Sequence, residues 1–431
     1  MDYPITFRMV NRNTNPPVTG ELSASAEKEK TFSVSPFLNK IVTWCEQRWR
    51  WQQYVWIIAV VAGAAVAAVE YRHMLNSSLR YGINIIDVTG FARVGDHLLS
   101  GDFAYVYADS FNQTGPLQSF ADSLLLRGAQ AFPDDWGLTV LAFLVSMEVL
   151  LSAGVMTVWL ARKCRCEKFG WTLATCATVL LSLTETPFTV FTHGHWWQIV
   201  VLWCWFAAGK NVLKGRTVQA GLFLVLATAL EPWGVFGFLI VLISPSLRRA
   251  CATAAIAALG VFAVWAPFVF LWPFRFGDYA WKVQQYSLWT FMLPENENFS
   301  WGYRLVQAVL VVLLVGAIIF SVRRRALLNI EYASFVLCTI PVLIVLFRVG
   351  TDAFFESYYL TTAQVFLLPV ALVTLVRWPR WGIMFAMSSY LTFLGIGGFP
   401  PYGTALGAAF LASVALVGIG KRSTSSQTVD N

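Results

Sequence analysis

The stretch NIIDVTGF sets one carboxylate, Asp87, among Ile85, Ile86 and Phe91. An ion beside apolar surface must be stabilised by something close at hand. Its simplest role is a helix N-cap, accepting hydrogen bonds from the first free amides; the alternative is proton transfer. Four further stretches bear on that choice. THGHWWQ carries His193 and His195, EPWG carries Glu231, ENFSWGYR holds Asn298 and ends on Arg304, and FRVGTDAFFESYYL groups Arg348, Asp352, Glu356, Tyr358 and Tyr359. Singly, each has an ordinary explanation. Loop histidines hydrogen-bond locally, Glu231 caps or kinks, arginines at span ends reach for headgroups, and tryptophan and tyrosine form interfacial belts. Brought to one cavity, they would set an acid beside several cations, which is the pattern of a functional site in a membrane protein.

The elements that must position these residues follow from composition. Of 431 residues, 57% are hydrophobic and only 13% charged, against about 25% charged in a soluble domain. The chain is therefore expected to be all-α, a polytopic transmembrane helix bundle. Apolar runs long enough for a hydrocarbon core of about 30 Å number about twelve. They lie near Val55–Tyr71, Leu138–Trp159, Trp171–Leu183, Trp196–Ala208, Val218–Leu230, Gly234–Ile243, Cys251–Trp272, Leu305–Ser321, Tyr332–Phe347, Leu360–Leu375, Gly382–Ile396 and Ala405–Ile419. The third to sixth are too short to cross unaided and are expected to line a polar cavity or stop partway.

The formal net charge of +7 is topological. With both termini in the cytoplasm, 23 of the 31 Lys and Arg fall inside, including Arg162, Lys163, Lys210, Lys214, Arg248, Arg323 and Arg377. This is the positive-inside pattern of a multi-pass plasma-membrane protein, and no nucleic-acid partner is implied. The histidines and most acids then fall outside, so the expected chemistry is extracytoplasmic. Cys164 and Cys166 lie among basic residues without a histidine, a poor zinc site.

Residues 1–34 read as a disordered cytoplasmic arm and 421–431 as a disordered tail, without a cleaved signal peptide. Residues 35–54 read as an amphipathic helix in the interface, or nearly as readily as an extension of the first span. The body runs over 55–420, with a long outer loop, 72–136, containing two amphipathic surface helices joined by the turn FNQTGPLQ, where Gly115-Pro116 enforces the reversal. Neither half of the chain repeats the other, against the commonest carrier architecture.

In DVTGFARVGDHLLSG followed by NQTGPL, the chain resembles the polytopic glycosyltransferases of the C-type (GT-C) fold, nearest the actinobacterial family-87 transferases that use polyprenyl-phosphate-mannose. HGHWWQ is similar to their Gly-Gln or Gly-His loop, EPWGVFGFLIVL to a segment that more often carries Lys-Pro, and ENFSWGYR to their Asn-x-Ser stretch with a downstream arginine. The resemblance runs from Val55 to Ile396. It implies transfer of mannose or another sugar from a polyprenyl-phosphate donor to a glycolipid or cell-envelope glycan, with no cofactor required and no metal demanded. Asp87 would be the general base, with Asp96 in reserve. Arg304 and Arg348 would hold the donor phosphate, helped by His193, and His195 would serve the leaving phosphate. Gln113, Glu231, Asn298, Glu356, Tyr358 and Tyr359 would contact substrate. Asp96 lies nine residues beyond Asp87, about two and a half turns along, so the two acids face roughly opposite sides of a helix. Glu231 replaces the more usual lysine, and NQTGPLQ departs from the Tyr-Pro-Pro form, so the sugar does not carry over. The competing readings are a flippase or transporter of a lipid-linked sugar and a non-catalytic scaffold of an envelope complex.

Overall fold

The structure, a computed structural model, describes residues 49–81, 86–110, 112–133, 136–184, 186–278, 281–354, 357–397 and 399–425. It is built from α-helices, several 3₁₀ turns and, among the described residues, no strand. In chain order the helices are α1 (Trp49–Tyr81), α2 (Ile86–Ser100), α3 (Pro116–Gln130), α4 (Trp136–Lys163), α5 (Gly170–Ser182), α6 (Thr186–Thr192), α7 (Trp197–Leu213) and α8 (Thr217–Leu230). A 3₁₀ segment, Pro232–Ile243, precedes α9 (Leu247–Leu271), α10 (Trp301–Leu328), α11 (Ile330–Gly350), α12 (Ser357–Arg377), α13 (Pro379–Ile396) and α14 (Pro401–Ser425).

Each apolar run in the sequence falls on one of these elements. Among the described residues, seven helices are long and apolar enough to cross a membrane, or eight if α5 and α6, bent by 56°, count as one span. The other runs lie on α7, α8, the 3₁₀ segment and α13, which fall short of that measure. Three boundaries differ from expectation. Residues 49–54 are the first turns of α1, not part of a separate interfacial helix, and α1 continues to Tyr81, well past the expected start of the loop at Arg72. The last helix continues through Ser425, four residues past the expected start of the tail. The 1–34 arm, the rest of the 35–54 segment and residues 426–431 lie outside the described residues.

Two kinds of contact hold the bundle. Where helices approach closely, the residue at the crossing is small, as membrane helices require in the absence of a hydrophobic drive between them. A Cβ on Gly154 of α4 would lie 2.4 Å from the indole nitrogen of Trp56, and that indole N–H donates to Thr178 Oγ1 on α5 at 3.1 Å. At the core, α11 is enclosed over most of its length, whereas few residues of α9 are fully buried.

The 3₁₀ segment has a sequence cause. In this winding, residues three apart stack on one face, and Gly234, Gly237, Ile240 and Ile243 form such a buried row. The two glycines admit their neighbours: a Cβ on Gly234 would meet Ala227 O at 2.3 Å, and one on Gly237 would meet the Trp205 ring at 2.1 Å. Trp205 fixes the register by donating to Gly234 O at 3.0 Å. With a rise of about 2.0 Å per residue, 3₁₀ winding carries twelve residues about 24 Å, against about 18 Å for an α-helix. This short segment therefore reaches the far end of the bundle, where Arg323 Nη2 donates to Ser244 O at 2.6 Å. Arg377 pairs with Glu331 at 2.8 Å at that same end.

Candidate functional site

At the opposite end a cavity of about 480 Å³ is lined by residues from seven parts of the chain. Glu231 reaches it because α8 cannot continue: the residue before a proline disfavours the helical region, and Glu231 is extended (φ −135°, ψ 129°) ahead of Pro232. His193 and His195 flank Gly194, whose φ of 70° turns the chain between α6 and α7. Arg348 lies in the last turn of α11, where the helix dipole favours a cation, and Gln307 Nε2 donates to its carbonyl at 3.2 Å. Arg304 enters from the first turn of α10, and Tyr358 and Tyr359 from the start of α12. Gln113 comes from the turn before α3. It is held by the Trp281 indole, which donates to its Oε1 at 2.9 Å.

The acid-histidine centre is buried. His195 Nδ1 lies 3.4 Å from Glu231 Oε1 and 3.3 Å from Gln198 Nε2. The His195 ring stacks on Tyr358 with centroids 4.1 Å apart and planes within 9°, and meets the edge of Phe91 at 5.4 Å. Since Nδ1 faces Glu231 and Gln198, Nε2 is the nitrogen left for a ligand. His193 Nδ1 sits 2.9 Å from Thr189 O; donation to that carbonyl leaves its Nε2 as an acceptor.

The cations are set against aromatic faces. Arg348 lies 4.3 Å from the Tyr359 centroid and 5.0 Å from that of Trp233. Arg304 lies 5.3 Å from Trp281. Asp352 attracts both guanidiniums, but its Oδ1 accepts from the amide of Ala353 at 2.8 Å. Arg348 Nη1 is buried without a hydrogen-bond partner, so a charged donor stands unspent at the cavity wall. An anion with several oxygens would satisfy it.

Nine of the residues singled out in the sequence thus line one cavity: Gln113, His193, His195, Glu231, Arg304, Arg348, Asp352, Tyr358 and Tyr359. Two do not. Asp96 accepts from Ser123 Oγ at 2.5 Å and pairs with Arg127 at 2.8 Å on the surface; the Ser123 hydroxyl, with Arg127 adding to it, holds this carboxyl below its ordinary range. Asn298 accepts from Lys282 Nζ at 2.6 Å in an exposed pair. Glu356 and the side chain of Asp87 lie outside the described residues. The Asp87 backbone is in the first turn of α2, four residues before the cavity residue Phe91.

The sequence reading missed a buried polar layer behind Glu231. On α3, Gln118, Ser119, Asp122 and Ser123 face inward, whereas Phe120, Leu124 and Leu125 face outward. Trp197 Nε1 donates to Asp122 Oδ1 at 2.7 Å. Gln118, with its amide nitrogen turned towards Glu231, donates to Leu230 O and Glu231 Oε1, each at 3.1 Å. Burial drives the Asp122 carboxyl well above the usual range, against the Trp197 bond and reinforced by the Glu231 charge. The available signal was spacing: Gln118 and Asp122 are one turn apart, on the side of α3 opposite its apolar stripe.

No known protein family matches the chain, and no curated protein matches its sequence. Among the described residues, no group of three or more His, Cys, Asp or Glu is placed to hold a metal ion.

Proposed function

We propose that the chain is an integral-membrane glycosyltransferase of the C-type fold, which takes a sugar from a polyprenyl phosphate and gives it to a hydroxyl of a glycolipid or envelope glycan outside the cell. The observation that carries this reading is the pairing, in one cavity, of two guanidiniums bearing an unspent donor with a buried acid and histidine. Guanidinium forks match phosphate oxygens and stay charged when buried, so Arg348 and Arg304 hold the donor phosphate. The aromatic walls, including Trp233 and Trp281, provide apolar faces for the sugar and the first prenyl unit.

In the reaction, Asp87 takes the proton of the acceptor hydroxyl as its oxygen bonds to the anomeric carbon. The bond from that carbon to the phosphate oxygen breaks, and polyprenyl phosphate leaves with its charge held by the two arginines and by His195. Asp87 suits this role by position: its backbone lies one turn ahead of the cavity residue Phe91 on the same helix.

The test is sugar transfer by the purified protein in lipid nanodiscs, with a polyprenyl-phosphate sugar as donor and membrane glycolipid as acceptor. Asp87→Asn should lower the rate by about 100-fold or more while donor still binds, and Arg348→Gln should weaken donor binding. If Asp87→Asn transfers sugar at the parental rate, Asp87 is not the base. If neither protein transfers sugar yet both move the lipid-linked sugar across the bilayer, the chain is a carrier.

A further inference from the structure

The layer behind the cavity contains an acid that the proposed reaction does not use. Asp122 is only 2% exposed. Its Oδ1 has one donor, the Trp197 indole, and its Oδ2 has none. Among the described residues no cation acts on it, and the charge that does is that of Glu231, also a carboxylate. The group between the two acids is Gln118. A carboxamide has two N–H donors and one carbonyl, and Gln118 spends its donors on Leu230 O and Glu231 Oε1. In that orientation neither donor is left for Asp122, one helical turn away.

We infer that Asp122 is a neutral acid at physiological pH, a positioning residue that adds no negative charge behind Glu231 and so keeps the cavity receptive to an anion. Two carboxylates sharing a poorly solvated site do not both ionise. Glu231 has the Gln118 amide and His195 as partners, and its field also reaches Arg348. Asp122 has no such partners and takes the proton. Ionising it would add a second negative charge behind Glu231, set against the same arginines that are to bind phosphate. Anion affinity is therefore expected to fall as pH rises through the titration of Asp122. Burial, together with the Glu231 charge, raises this carboxyl against the Trp197 bond.

The inference rests on the proposed phosphate site for its consequence, but not for the protonation state, and two measurements separate them. The first is the infrared difference spectrum of the full chain against Asp122→Asn at neutral pH. The carbonyl stretch of a protonated carboxylic acid should be present in the parent and missing in the variant; its absence from the difference overturns the inference. The second is binding of a short prenyl monophosphate to the protein in nanodiscs, followed against pH. The parent should lose at least about tenfold in affinity on the alkaline side, and Asp122→Asn, a neutral isostere, should bind at least as well at neutral pH without that loss. Binding weakened about tenfold by Asp122→Asn at neutral pH would mean that Asp122 acts as an anion, and the inference fails. If neither protein binds the prenyl phosphate at any pH, the functional reading is refuted, and the infrared band still decides the state of Asp122.

Discussion

Asp96 and Asp122 lie on neighbouring helices and have opposite electrostatics. Asp96 is half exposed and paired with Arg127, so its carboxyl is held low, chiefly by Ser123. Asp122 is buried and pushed up. Linkage then gives opposite pH signatures. An acid whose folded-state pKa is depressed adds stability above its unfolded value and loses it as pH falls. An acid whose pKa is raised holds its proton on folding, so stability falls as pH climbs from the ordinary carboxylate range towards the raised value. Asp122→Asn should therefore match the parent in thermal midpoint near the ordinary carboxylate pKa and exceed it increasingly towards neutral and alkaline pH. Asp96→Asn should lose less than about 1 kcal/mol, as exposed pairs do, with the loss confined to pH above the carboxylate range and with sugar transfer unchanged. Thermal scans of both variants in one detergent across a pH series check this. Asp96 stood out in the sequence because it follows Asp87 in a recognisable stretch. Asp122 did not, because the apolar stripe of α3 drew attention to Phe120, Leu124 and Leu125. In a helix lying on a bundle with a polar interior, that stripe faces away from the protein and the chemistry is on the other side.

At the scale of the element, the apolar runs were legible because bilayer thickness sets a length that only long apolar stretches meet. Their boundaries and winding were less so. Nothing in the length of Pro232–Ile243 announces 3₁₀ geometry; the cause is the spacing of Gly234 and Gly237, which has meaning only once α7 and α8 lie against them. The same holds for the pair α2 and α3. Despite Gly128, α3 runs unbroken to Gln130. The two glycines of this pair differ in what surrounds them. A Cβ on Gly95 would lie 1.9 Å from Ser119 O and 2.6 Å from Ser123 Cβ, whereas one on Gly128 would meet nothing within 4 Å. Gly95→Val should force α2 from α3, costing about 1–3 kcal/mol or more through overpacking, and should expose the Asp96–Ser123 contact. Gly128→Ala should stabilise by about 0.5–1 kcal/mol, since it only restricts the unfolded chain. Thermal midpoints of the two variants measure the contrast. Equal effects would show that the helices are not in contact at Gly95.

Over the whole molecule, the partition of charge is the feature most fully visible in the sequence. Basic residues alternate along the chain with the stretches that carry the histidines and acids, and the structure sets Arg323 and Arg377 at one end of the bundle and the cavity at the other. What the sequence could not show was convergence: whether His195, Glu231, Arg304 and Arg348 would meet depended on which helices neighbour one another. The proposed chemistry depends on which end faces the cytosol, for which the positive-inside pattern gives the expectation. A cavity open to the exterior must draw its sugar from a donor carried across the membrane on a lipid, whereas one open to the cytosol would have soluble activated sugars at hand. Phe291, 89% exposed in the loop between α9 and α10, and Lys214, between α7 and α8, lie on connections at opposite ends. In a background with Cys176 and Cys251, the exposed native cysteines among the described residues, replaced by serine, Phe291→Cys should react with a membrane-impermeant maleimide in intact cells. Lys214→Cys should react only after the membrane is opened. The reverse pattern would turn the cavity to the cytosol and, with it, remove the reason for a polyprenyl carrier.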